Sequence, residues 1–354
     1  MRRLPTELCA IPVILLLFAA PTAARTHRNR GPVTAIQPTD SSSHLVLLSR
    51  SGWARVKSDR GRSRVSLRPE ETLTGIAETG LGWVAVGVRR SEIAGSSGSE
   101  TSVFLVASTG HNGTRLPALE QREALQLRPV LLVHQGQLAG AAWLEGESQR
   151  TMAVRFAEWT GVDWGPTQTV SRPGPGSQTG LSGVTLAGGE ILLAWSRYDG
   201  SDDEIFWTLR EGATWSSPAR VGADNTTPDI TPVLAGSGRG ATLVWGRMDD
   251  GEYRLLAREF RSGEWRRERA VTPHGSVFPT LARSDGRLLV IYRTARPRGW
   301  AVTDLDGDSP VLRRARLEDA GDLRPVLAKL TPTGPVLQWT RPGRSAALRW
   351  NTVR

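Results

Sequence analysis

The sequence predicts an all-β fold: a single β-propeller of seven blades, with six as the alternative, each blade a four-stranded antiparallel sheet. Three observations carry that expectation. A motif returns every 43 to 54 residues, short apolar runs bounded by glycine follow it, and tryptophans recur at fixed places inside the period.

Each unit opens on a small residue or proline followed by an apolar one. The openings are Pro32-Val33, Gly75-Ile76, Pro129-Val130, Gly183-Val184, Pro232-Val233, Pro279-Thr280 and Pro325-Val326, with Thr280 the one lapse. A first strand is expected there. After a glycine-marked turn, an alternating run ends 12 to 16 residues beyond the opening in a large residue: Leu48, Val88, Trp143, Trp195, Trp245, Tyr292 or Trp339. Runs such as Ile191 to Trp195 and Ala241 to Trp245 have strand length and are too short for helices. A third run follows, as at Glu204 to Trp207 and Tyr253 to Leu256, then a turn with Gly and Trp, then a fourth strand ending near Val170, Val221 or Val271.

Trp164, Trp215 and Trp265 fall about 20 residues after Trp143, Trp195 and Trp245. A four-stranded sheet cannot bury both faces alone, so large side chains at equivalent positions are expected to fill the gaps between neighbours. The last unit, Pro325 to Arg354, has room for three strands rather than four. The proline-free segment Arg25 to Gly31 is the expected donor of the missing strand, leaving no open sheet edge.

The N-terminus reads as a cleaved secretory signal over residues 1–24, with the propeller domain over 25–354. Arg2 and Arg3 precede an apolar run from Ala10 to Ala20, and small residues stand at Thr22 and Ala24. That run is too short to span a bilayer, which takes roughly 20 apolar residues, and no later stretch approaches it, so no transmembrane segment is expected after cleavage. Cys9, the only cysteine, precedes the apolar run and leaves with the signal. The mature domain then has no disulfide and rests on its hydrophobic core, which fits a bacterial protein that is periplasmic or secreted.

The formal charge is +10, and of 45 basic residues only Lys57 and Lys329 are lysines. Such a skew accompanies GC-rich coding; the charge also favours anionic partners. Export and the lack of a recognition helix or stacking motif argue against nucleic acid.

The turn Thr208-Leu209-Arg210-Glu211-Gly212-Ala213-Thr214-Trp215 resembles the Asp-box (BNR repeat) of sialidase-like propellers, Ser-x-Asp-x-Gly-x-Thr-Trp. Gly, Thr and Trp match, while Arg210 stands in place of the aspartate. More degenerate versions occur at Gly161-Val162-Asp163-Trp164 and Gly263-Glu264-Trp265. The resemblance covers most of the mature chain as a repeat pattern and implies the fold; in that superfamily the turn is structural. It also implies what a sialidase would need: an arginine triad for the substrate carboxylate, a tyrosine nucleophile with a glutamate, and an aspartate acid. The early Arg-Ile-Pro motif is absent, the nearest strings being Leu127-Arg128-Pro129 and Leu323-Arg324-Pro325. Tyr198 and Tyr253 are the available tyrosines, because Tyr292 is a repeat core position.

Loops that lead into first strands and loops that leave second strands open on one face of a propeller. One or two residues past the second-strand anchor stand Arg50, Arg90, Arg197, Arg247, Arg293 and Arg341, with Glu145 as the exception; Arg128 and Arg324, before first strands, join them nearer the axis. A guanidinium is a rigid fork for carboxylate, sulfate or phosphate, so a convergent set makes an anion-binding surface for an acidic glycan or an acidic protein loop. The candidate ligand-binding residues are therefore Arg128, Arg197, Arg247, Arg293, Arg324, Arg341 and Tyr198. Against this, Asp199, Asp202, Asp203, Asp249 and Asp250 occupy the same loops and offer the arginines ordinary ion pairs.

No cofactor is expected. Calcium has two weak candidate strings, Asp199 to Glu204 and the group Asp304, Asp306 and Asp308, neither with the spacing of a known calcium loop. HExxH, P-loop and nucleophile-elbow motifs are absent. The leading expectation is a non-enzymatic binding or scaffolding module; the alternative is a sialidase-like glycoside hydrolase acting on an acidic sugar.

Overall fold

The computed structural model describes residues 34–36, 46–50, 53–58, 61–80, 82–92, 98–108, 113–284, 286–296, 298–306, 313–315, 326–331, 334–340 and 348–352. The fold is all-β: strands joined by turns, with no helix among the described residues. In particular, none of them forms a helix long and apolar enough to cross a membrane.

The strands of the described residues form six sheets in chain order. The first has four strands, from Thr34–Ile36 to Gly61–Ser66. An eight-stranded sheet follows, from Glu71–Thr79 to Gln168–Ser171, and contains both the second and the third repeat units. Two five-stranded sheets span Gln178–Thr185 to Ala219–Arg220 and Asp229–Ser237 to Arg269–Ala270. Four strands from Ser276–Ser284 to Arg313–Ala315 come next, then three from Val326–Thr331 to Leu348–Thr352.

Among the described residues pairing is antiparallel except for one parallel pair, Thr101 with Leu125, which fuses the second and third units. The Thr101 amide donates to the Ala124 carbonyl (2.9 Å), and the Val103 amide to Oε1 of buried Gln126 (2.8 Å). Two hydrogen bonds therefore hold a join that the repeat alone did not predict.

Second strands were expected to alternate. Instead Ile191–Tyr198 is buried at six consecutive residues, because this strand lies mid-sheet with protein on both faces. The period-2 signal survives in the first strands. Asp229–Ser237, for instance, alternates between buried and half-buried positions over much of its length.

The indole positions are the joints of the molecule. Trp143, Trp195, Trp245 and Tyr292 are fully buried, and each lies in an apolar cluster made half by its own unit and half by the unit before it. Trp195 packs with Leu132, Leu144 and Phe156 of the third unit; Trp245 with Leu186, Leu192 and Ala194 of the fourth. Trp164, Trp215 and Trp265 are half-buried and lie against the same clusters from the turn side. The Trp215 ring meets Phe156 edge-on at 5.3 Å, and its Nε1 donates to Gln168 (2.9 Å).

First strands of successive units stand side by side. Ser182 Oγ accepts from the Leu234 amide (3.0 Å), Thr185 Oγ1 donates to the Val133 carbonyl, and Arg283 donates to the Gly236 carbonyl (3.0 Å). Thr34–Ile36, the first described strand, lies against Gly334–Thr340 near the other end of the chain. The segment Arg25 to Gly31, expected to complete the last sheet, lies outside the described residues.

In the second to sixth units the repeat openings lie inside strands, whereas Pro325-Val326 does open one, Val326–Thr331. Pro129, Pro232 and Pro279 sit inside Leu125–His134, Asp229–Ser237 and Ser276–Ser284, several residues past each start. Pairing skips there: Ile230 faces Gly246 and Val233 faces Val244, so the first strand carries one extra residue. The same one-residue bulge recurs in the third, fourth and sixth units. A bulge removes the need for the amide that proline lacks, which is why proline is tolerated mid-strand.

Candidate functional site

The bulges place unusual residues. Arg128 (φ 51°), Thr231 (φ 54°) and Phe278 (φ 56°) precede those prolines in the left-handed region, where Gly180 (φ 61°) holds the equivalent place in the fourth unit. Left-handed backbone at a non-glycine residue costs of order 1–3 kcal/mol and persists only where the surroundings enforce it. A side-chain Cβ on Gly180 would meet Pro232 Cδ at 3.0 Å and Thr231 Cα at 3.4 Å, so bulges of adjacent units touch.

Arg128 was expected just before its strand; it lies within the strand, at the bulge. Its side chain is exposed, yet the protein around it dehydrates the guanidinium enough to lower its pKa. Arg128 is thus open to solvent and at the same time crowded by protein. No carboxylate or other hydrogen-bonding partner meets Arg128 among the described residues, and its charge is unspent.

Two residues before each bulge stands a buried polar residue: Gln126, Gln178, Asp229 and Ser276. Three of them tie their unit to the one before. Gln126 accepts from Val103, Gln178 Nε2 donates to the Met152 carbonyl (2.7 Å), and the Asp229 carbonyl accepts from Ser196 Oγ (2.8 Å). Their cross-strand partners are Glu145, Arg197, Arg247 and Thr294. Arg293 is therefore one residue out of step and faces the other side of its sheet, with Thr294 in the arginine position.

The three charged partners differ sharply. Glu145 is fully buried and accepts from Gln126 (2.8 Å) and Trp143 (3.1 Å), with Arg155 Nε at 3.2 Å. Arg247 is spent on carboxylates: Nε and Nη2 fork onto Asp229 (2.8 and 2.7 Å), and Nη1 reaches Glu268 (2.9 Å). Arg197 has no carboxylate partner among the described residues. It lies over the Phe206 ring (4.7 Å) and against Gly174, with Nε buried and unbonded. Arg90 is exposed and donates to Ser99 (3.2 Å). Arg324, Arg341 and Asp308 lie outside the described residues, as does the side chain of Arg50.

The acidic loop after Arg197 folds on itself. Asp199 Oδ1 accepts from the amides of Ser201 (2.9 Å) and Asp202 (3.3 Å), and its other oxygen takes Arg220. The Ser201 amide is the main cause that holds Asp199 below the usual carboxylate range. Burial does the reverse for Asp202, Asp203 and Asp229, and pushes Glu204, 2 % exposed, up to about 7. Glu204 Oε1 accepts from the Asn225 amide (3.1 Å) and Nδ2 (2.8 Å), anchoring the loop that leads to the fifth unit.

A carboxyl raised by folding contributes stability below its unfolded pKa, and that contribution is lost as pH rises through the folded value. The window here runs from about 4.5 to about 7. Glu204→Gln keeps the acceptor and removes the charge, so it is expected to raise stability at mildly alkaline pH by about 1–3 kcal/mol. Urea midpoints of both proteins on either side of that window check this; equal slopes against pH would rule it out.

Neither tyrosine is prepared as a nucleophile. Tyr198 donates its hydroxyl to the Gly200 carbonyl (2.9 Å). Burial, then Asp203 and Asp229, raises the Tyr253 phenol, which disfavours the phenolate. Asp304 pairs with Arg287 and accepts from the Asp306 amide (3.1 Å), while Asp306 accepts from Leu288. Among the described residues, no group of three or more His, Cys, Asp or Glu is arranged to hold a metal ion.

In the turn from Thr208 to Ser216, Gly212 takes φ 58° and Thr208 and Ser216 close the turn through side-chain bonds. Arg210 does not cap it. The guanidinium crosses to Glu158 of the third unit (2.6 Å) over the face of Phe156 (5.0 Å). Arg210 thus bonds one unit to the one before it. The recurring bulge was missed at the sequence level, although Arg-Pro, Thr-Pro and Phe-Pro at one place in three units carried the signal.

No protein-family model and no curated protein matches the chain. Solved structures share the fold at low identity. A protein of unknown function from Dyadobacter fermentans DSM 18053 is 11 % identical, with 92 % of this chain and 99 % of that one covered and a TM-score of 0.52. Polysaccharide lyase Uly1 is 9 % identical over 93 % and 92 % of the two chains, with a TM-score of 0.52. A prolyl endopeptidase is 12 % identical at a TM-score of 0.55 over 91 % of this chain, which spans 47 % of the endopeptidase.

Proposed function

We propose that the chain is a secreted or periplasmic seven-bladed β-propeller that binds an anionic ligand, an acidic glycan before an acidic protein loop, at the surface holding Arg128 and Arg197. The touching first strands and the approach of Thr34–Ile36 to Gly334–Thr340 support the ring. The polysaccharide lyase among the structures of like fold is in keeping with a glycan partner. One observation carries the reading: Arg128 is solvent-accessible and dehydrated, with no ion pair among the described residues, whereas Arg155, Arg210, Arg220 and Arg247 all have carboxylates. An anion from solution supplies what it lacks. Arg247 and Arg155 belong to the framework.

A uronate- and sulfate-bearing glycan array at low and high salt tests this, with Arg128→Ala and Arg197→Ala beside the wild type. Loss of about tenfold in affinity is expected for each variant, with wild-type binding falling as salt rises. Binding indifferent to salt and to both variants would overturn the proposal. Fluorogenic sialosides and uronides test the hydrolase alternative; turnover abolished in Arg128→Ala would establish it.

A further inference from the structure

Glu145, the exception to the arginine pattern, forms part of the wall of a cavity of about 250 Å³ where the loops leading into the third and fourth units meet. Its own charge is answered by Arg155 of the same wall and by buried Gln126 and Trp143, and Arg155 in turn donates to Thr169. Two other lining residues are not answered. Glu123, half-buried, and Arg172, exposed, have no ion pair among the described residues, with each other or with anything else. Both are held from behind: Gln121 Nε2 bonds the Glu123 carbonyl (2.8 Å), and buried Gln178 bonds that of Arg172 (2.9 Å). Pro173 and Pro175 stiffen the loop after Arg172.

From this we infer that the cavity is a binding site for a small zwitterion of the free amino-acid class, its carboxylate on Arg172 and its ammonium on Glu123. A lone anion leaves Glu123 unanswered, and a lone cation leaves Arg172 so; only a molecule with both charges satisfies both walls. The volume is below that of pockets for drug-sized ligands, about 300–1,000 Å³. The site shares no residue with the arginine surface proposed above, and either stands without the other.

Calorimetric titration of the full chain with L-alanine, L-serine and L-leucine tests it, against N-acetyl-L-alanine, which lacks the ammonium, and L-alaninamide, which lacks the carboxylate. Millimolar or tighter binding of at least one free amino acid is expected, with each alanine derivative weakened about tenfold or more relative to alanine. Arg172→Ala is expected to abolish the preference for alanine over alaninamide alone, and Glu123→Gln the preference over N-acetylalanine alone. A merely structural role cannot produce that crossed pattern. Absence of binding by all three amino acids, or derivatives binding as well as alanine, overturns the site.

Discussion

Alanine in place of Trp195 is expected to lower the unfolding free energy by about 3–5 kcal/mol, the range for emptying an aromatic site inside a packed core. Trp195 is fully buried, stacks on Phe206 at 6.5 Å and 23°, and fills the gap between the third and fourth units. Relaxation cannot close that gap cheaply, since the backbones on both sides are sheet. Trp215, half-buried against the same cluster, is expected to cost markedly less when cut to alanine. Trp195→Phe separates the causes. The buried Nε1 has no partner among the described residues, so phenylalanine removes an unmet donor while keeping most of the volume. Equilibrium urea unfolding gives the order: Trp195→Ala worst, with Trp195→Phe well short of it. Equal losses at Trp195 and Trp215 would show that the wedge is not the packing element described.

Arg247→Ala is the other large effect. It leaves the Asp229 carboxylate, 2 % exposed, without its two-pronged partner, and stranding one member of a buried pair costs about 3–5 kcal/mol. Burial already raises Asp229, with Arg247 opposing it. Without the guanidinium the carboxyl stays buried only by holding a proton, so the loss grows as pH rises. Arg247→Met with Asp229→Leu removes both charges and is expected to recover most of the stability. A single variant as stable as wild type, or a double variant worse than the single, defeats this account. If the proposed glycan binding holds, the affinity per folded molecule is expected to survive in the double variant, because Arg247 is already spent.

The period and its tryptophans were legible because packing between repeated sheets demands bulk at regular intervals, and indoles are hard to disguise. Trp143, Trp195, Trp245 and Tyr292 all took the core role read from them. The positions of the arginines were legible in the repeat, but their pairing was not. Whether a guanidinium is spent depends on a carboxylate elsewhere in the chain: Arg247 met Asp229, 18 residues back, while Arg197, at the matching place, met Gln178. Parity was missed at Arg293, where counting one or two residues beyond the anchor mixed two faces of a strand. The bulge was hidden because proline was taken to begin strands rather than to interrupt their pairing. Arg210 shows the same limit. The arginine in its turn was visible, but its partner Glu158 lies 52 residues away.

The backward reach of the large aromatics gives the chain a direction in time. Synthesis runs from the amino end, and each sheet leaves the ribosome with its later-facing surface bare until the following unit supplies the aromatic plug. Nascent chains halted just short of Trp195 or Trp245 should thus be greasy and chaperone-bound, and those halted soon after should be let go, in steps one unit long.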